Sequence, residues 1–181
     1  MKLDPSTGLV RPLEFIASPN CDARPAGVVI DVLVVHCISL PPGEYGGPFV
    51  EHLVCNRLNP DDHACFSKIC HMRVSAHFFI RRTGNVTQFV PTSLRAWHAG
   101  QSCFGDRSNV NDFSIGIELE GTDDTVFTDV QYESLVQLSR ILMVAYPDIL
   151  RSNLVAHSDI APGRKTDPGV CFDWDRYLQG V

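Results

Sequence analysis

A single domain of the α/β class is predicted by three features of the sequence: its length of 181 residues, two β-prone runs at residues 28–37 and 113–120, and an amphipathic helix beginning after Thr128. A chain of this length buries one substantial core and commonly folds as one domain. Its 13 glycines and 12 prolines make about 14 % of the chain, below the roughly 25–30 % that marks disorder.

The elements follow in order. Residues 28–37 are almost all apolar or β-branched, interrupted by Asp31, which predicts a strand buried on both faces with His36 at its C-terminal end. Pro41, Pro42, Gly43, Gly46 and Gly47 then force a loop. Pro48 in a first turn, with Phe49, Val50, Leu53 and Val54 at helical spacing, predicts a short helix, and the start signals Asn59-Pro60-Asp61-Asp62 predict another. Residues 75–81 and 86–90, separated by Thr83-Gly84-Asn85, read as a hairpin.

Residues 113–120 alternate strictly, with Phe113, Ile115, Ile117 and Leu119 on one face and Ser114, Gly116, Glu118 and Glu120 on the other. Gly116 leaves space for something bulky to approach the strand beside Glu118. Thr128 and Gln131 form a capping box for a helix whose stripe is Leu135, Leu138, Ile141, Leu142 and Ala145, stopped by Pro147. A short strand over 153–156 delivers His157, and the Gly- and Pro-rich stretch to Pro168 is a loop carrying Lys165 and Asp167.

Composition excludes several function classes. The net charge of −6, with acids and bases interspersed, offers no basic patch for nucleic acid. No run of about 18 apolar residues could insert in a membrane. The apolar stretch at residues 13–17 is broken by Glu14 and lacks a signal h-region, so a cytoplasmic location is expected. Seven cysteines cannot all pair within one chain, and without export a disulfide framework is not expected.

His36, His157 and Asp167 supply two imidazoles and a carboxylate, the protein half of an open catalytic zinc site. Zinc so held lowers the pKa of the water it binds to about 7. Amide hydrolysis then needs a base and an oxyanion partner; Glu118 suits the first role and Lys165, on the same side of an extended loop as Asp167, the second. Spacing does not bring these residues together. A histidine at a strand end is more often a hydrogen-bonded structural residue, Glu118 and Glu120 fit a solvated strand face, and Arg164 and Lys165 fit an exposed loop pair. His63, Cys65, Cys70 and His71 form a rival donor set, disfavoured because donors within one predicted helix cannot all face one ion.

Five blocks, "VVHCISLPPGEYGGPFVEHL", "VSAHFFIRRTGNVTQFVP", "RAWHAG", "NDFSIGIELEGTD" and "VAHSDIAPGRKTDPGVCFDW", resemble in order the AmpD family of cytoplasmic N-acetylmuramoyl-L-alanine amidases. The resemblance implies one α/β domain over residues 1–181, its core at about 28–177, with a central mixed β-sheet flanked by helices as in peptidoglycan-recognition proteins. It implies His36, His157 and Asp167 as zinc ligands and Glu118 and Lys165 as catalytic residues. The implied substrate is a 1,6-anhydro-muropeptide, cut between the lactyl group of anhydro-N-acetylmuramic acid and L-alanine during cell-wall recycling. In some bacteria, loss of that activity derepresses β-lactamase.

Trp97, Arg81, Arg107 and Ala161 are the candidate substrate contacts: a stacking surface for the sugar, a partner for a peptide carboxylate, a reaching cation and a position inside the last block. Arg107 is expected to replace a basic residue that the family tends to carry where this chain has Asn109 and Val110. The family commonly has Asn where this chain has Cys37. A monomeric enzyme is expected; the alternative is a non-catalytic muropeptide sensor, which typically lacks a complete metal set.

Overall fold

The computed structural model describes residues 1–181. Its centre is a six-stranded mixed sheet made of β1 (Glu14–Phe15), β2 (Val32–Ile38), β3 (Phe78–Ile80), β4 (Val86–Gln88), β5 (Ser114–Glu120) and β6 (Leu154–Ala156). The spatial order is β6-β2-β5-β3-β4-β1. All neighbouring pairs are parallel except the β3–β4 hairpin. The runs read from sequence as strands lie here, with β2 starting four residues later than expected because exposed Val29 precedes it.

The two central strands divide the side chains between two faces, as the pleat requires. Leu33, Val35, Ile115, Ile117, Leu119, Phe78 and Ile80 point to the face covered by α2 (Asp129–Ala145) and α4 (Trp174–Gly180) and form the main core with Leu135, Leu138, Leu142 and Tyr177. The capping box of α2 is formed: Thr128 Oγ1 accepts the Gln131 N–H and Gln131 Oε1 accepts the Thr128 N–H. Two buried hydroxyls, Ser139 and Tyr177, join α2 to α4 with an O···O distance of 2.7 Å.

The opposite face carries two smaller clusters. One gathers Val50, Leu53 and Val54 of α1 (Phe49–Val54) with Phe79 and Phe89; the other gathers Val32, Val34, Phe113 and Val155 with Ile160 of α3 (His157–Ile160). Polar residues between these clusters open onto a cleft.

The helix expected from Asn59 onward does not form. Asn59 bonds the Asp61 N–H and the Asp62 carboxylate at 3.2 and 2.8 Å, closing a local turn, and only a 3₁₀ turn at Phe66–Lys68 follows. The rival donors His63, Cys65, Cys70 and His71 therefore lie on irregular chain, where His63 and Cys65 meet at 3.0 Å but no third donor joins them. The N-terminal segment adds an antiparallel ribbon, Lys2–Asp4 with Leu9–Arg11, whose Leu3 and Val10 join the main core outside the expected 28–177 limits. All seven cysteines are free thiols.

Candidate metal and catalytic centre

Strand register assembles the centre. Glu118 lies opposite His36 across the parallel β2–β5 pair, so both side chains leave the same face. Ala156 lies opposite Val35 across β6–β2, which brings the next residue, His157, beside His36. Asp159 fixes the turn into α3 by accepting the Ala156 N–H at 2.8 Å. The following loop returns Asp167 to this point, its carbonyl accepting the Ser158 N–H at 3.1 Å. Arg164 and Lys165 are both exposed, and Arg164 also locks that loop by donating to the carbonyls of Ala99 and Gln101, both at 2.6 Å.

Three donor atoms meet in a triangle. His36 Nδ1 lies 2.9 Å from His157 Nδ1 and 3.2 Å from Asp167 Oδ2, and His157 Nδ1 lies 3.0 Å from Asp167 Oδ2. A tetrahedral zinc ion with bonds of about 2.0–2.1 Å needs donor separations of roughly 3.3 Å. The donor set therefore fits zinc in both chemistry and size. No other three histidine, cysteine or carboxylate donors converge in the molecule.

The outer ring nitrogens are held as well. His36 Nε2 lies 2.9 Å from His98 Nδ1, and His157 Nε2 lies 3.2 Å from the Ala99 carbonyl oxygen. Donation outward from Nε2 leaves each Nδ1 unprotonated and facing the triangle, the form that binds a metal. Burial lowers the His36 pKa to about 4, against the pull of Asp167. Burial alone would raise the Asp167 carboxyl, but the two imidazoles packed against it hold it well below the usual carboxylate range.

The two glutamates of β5 differ sharply, and neither belongs to a solvated face. Both Glu120 oxygens are occupied, Oε1 by the Gly46 N–H at 2.6 Å and Oε2 by the Arg82 N–H at 2.9 Å. Glu118 Oε2 is buried with no hydrogen-bond partner. Burial, reinforced by Asp167 and opposed by Lys165, pushes the Glu118 pKa up to about 8. Glu118, Lys165, Asp167, His157, His98 and Trp97 line a cleft of about 280 Å³ whose remaining lining is mostly apolar. An acceptor without a partner, an ammonium and an anionic donor triangle on one wall suit hydrolysis of a polar bond.

Of the candidate substrate contacts, Trp97 lines this cleft. Arg81, Arg107 and Ala161 do not line it. Arg81 is engaged by Glu51 and the Gly47 carbonyl, and Arg107 is bound by both Asp31 oxygens at 2.9 and 3.2 Å. Ala161 is buried at the end of α3. Cys37 Sγ donates to Asp123 at 3.3 Å, and Asp123 also accepts from the Thr166 hydroxyl, so the thiol helps tie β2 to the Lys165 loop. Burial pushes the Cys37 thiol pKa up. The space beside Gly116 is filled by the His98 ring, which a Cβ there would overlap. The sequence reading assigned His98 no role. Its one available signal was a glycine facing outward from an otherwise bulky strand.

Comparison with known proteins places these features among amidases. Residues 26–170 match the family model described as N-acetylmuramoyl-L-alanine amidase. The chain is 52% identical over 162 residues to the 1,6-anhydro-N-acetylmuramyl-L-alanine amidase AmpD of Escherichia coli (strain K12), covering 90% of this chain and 88% of that protein. A crystal structure of a selenomethionine derivative of AmpD superposes with a TM-score of 0.96 at 48% identity, covering 100% of this chain and 99% of the other. The amidase AmiD from E. coli, solved in complex with the substrate anhydro-N-acetylmuramic acid-L-Ala-D-gamma-Glu-L-Lys, gives a TM-score of 0.63 at 28% identity over 87% of this chain and 60% of that one.

Proposed function

Because the chain belongs to the N-acetylmuramoyl-L-alanine amidase family, we propose that it is a zinc-dependent hydrolase of the amide joining the lactyl group of 1,6-anhydro-N-acetylmuramic acid to L-alanine. Its relatives are named for that activity, and a muropeptide is the substrate in the AmiD complex. The observation that carries the reading is the donor triangle beside an unpartnered Glu118 oxygen and Lys165 on one cleft wall.

His36, His157 and Asp167 would hold the ion, which supplies Lewis acidity toward the scissile carbonyl and acidifies water. Glu118 accepts the proton of the attacking water. Its raised pKa suits a later return of that proton to the leaving amine. Lys165 faces the developing oxyanion, and Trp97 offers an aromatic face to the sugar. A complete donor set argues against a sensor that binds without cutting. The reading includes a monomeric enzyme acting in the cytoplasm on turnover products of the wall, with β-lactamase regulation as a consequence that depends on the host.

Glu118→Gln keeps the shape of the side chain and removes its proton-accepting charge. Turnover of anhydro-muramoyl tripeptide is expected to fall by about 10²–10⁴-fold while zinc content is unchanged. Undiminished turnover would reject Glu118 as the base.

A further inference from the structure

Asn111 lies outside the cleft wall, in the short 3₁₀ turn Val110–Asp112 that precedes β5. Its Oδ1 accepts two consecutive backbone N–H groups, from His98 at 3.1 Å and from Ala99 at 2.8 Å. Those same two residues hold the outer nitrogens of the inward-facing histidines: His98 Nδ1 meets His36 Nε2, and the Ala99 carbonyl meets His157 Nε2. We propose that Asn111 is a positioning residue that sets the orientation of both imidazoles at once, acting through the His98–Ala99 segment.

A carboxamide oxygen has two lone pairs and so can serve two adjacent donors from one point. The His98 ring is fixed on its other sides too, with Nε2 at 3.1 Å from the Ser114 hydroxyl and its face over Gly116. Behind Asn111, the largely buried Arg24 guanidinium donates to the carbonyls of Asn111, Asp112 and Ser114 at 3.1, 2.8 and 2.8 Å. A chain of short contacts thus runs from the sheet through Arg24 and Asn111 to His98 and Ala99, and from there to two of the three donors. Partners one step removed from a metal commonly change its affinity about 10–100-fold when removed.

This inference rests on the zinc reading of the donor triangle. The test compares wild type, Asn111→Ala and Asn111→Asp by zinc affinity in competition with a chromophoric chelator and by the visible absorption of each protein saturated with cobalt. Asn111→Ala is expected to bind zinc about 10–100-fold more weakly and to show shifted cobalt bands, whereas Asn111→Asp, which keeps an acceptor oxygen, stays close to wild type. Unchanged affinity and bands in Asn111→Ala would overturn the proposal alone. Absence of zinc binding by wild type would sink the metal reading and this proposal with it. Should Asn111→Ala fail to fold, Asn111→Ser, whose shorter side chain cannot bring an oxygen to both amides, takes its place: weaker zinc binding with shifted cobalt bands supports the proposal, and wild-type affinity with wild-type bands overturns it.

Discussion

Glu118 and Glu120 leave the same face of β5 two residues apart and meet opposite surroundings. Alternation along residues 113–120 was enough to aim both away from the main core. Which one stays unpartnered was not legible, because the groups that occupy Glu120, Gly46 and Arg82, come from loops 74 and 38 residues away in sequence. Gly116 was legible as a close-approach site, but the approaching group is His98 rather than substrate. Gly116→Ala is therefore expected to displace the His98 ring and to destabilise the protein by about 1–3 kcal/mol, as overpacking does. Urea denaturation measures this, with zinc affinity falling in parallel; native stability together with native affinity would show that the ring does not depend on that space.

At the scale of elements, local chemistry was readable and short elements were not. Helix α2 announced itself because its cap, Thr128, directly precedes the 17 residues that carry its apolar stripe. Thr128→Ala should remove an N-terminal cap worth about 1 kcal/mol and lower the melting temperature by roughly 2–4 °C; no shift in a thermal melt would mean the box contributes nothing. The Asn59 segment carried the same kind of start signal without a following stripe, and the signal was used up in a turn. Strands of two or three residues, such as Lys2–Asp4 and Glu14–Phe15, are too short for periodicity to register. Helix α4 offered one overlooked signal, Asp173, which caps it by accepting the Arg176 N–H at 2.9 Å.

The whole molecule decides where His36, His157 and Asp167 meet, and no local rule could state it. Their convergence depends on strand order, since β6 pairs beside β2 only after the chain has built β3, β4 and β5. Motif resemblance anticipated that arrangement; spacing alone did not. The same packing buries several imidazoles in neutral form. His77 Nδ1 accepts the Gly116 N–H at 3.0 Å, and burial with the Arg24 charge nearby lowers its pKa to about 3. Burial lowers that of His98 as well. A folded pKa below the unfolded value of about 6.5 means stability is fully present above pH 6.5 and is lost as pH falls toward 3. Metal-free protein should therefore lose about 2 kcal/mol between pH 7 and pH 5 through His77; urea midpoints that do not move over this range would contradict neutral burial. The central claim is that the donor triangle holds one catalytic zinc ion, and elemental analysis paired with chelation and readdition tests it most directly. The expected result is about one zinc per chain, amidase activity lost on chelation and restored by zinc, and neither binding nor activity in Asp167→Ala. Full activity in protein stripped of metal, or undiminished zinc binding by Asp167→Ala, would contradict it.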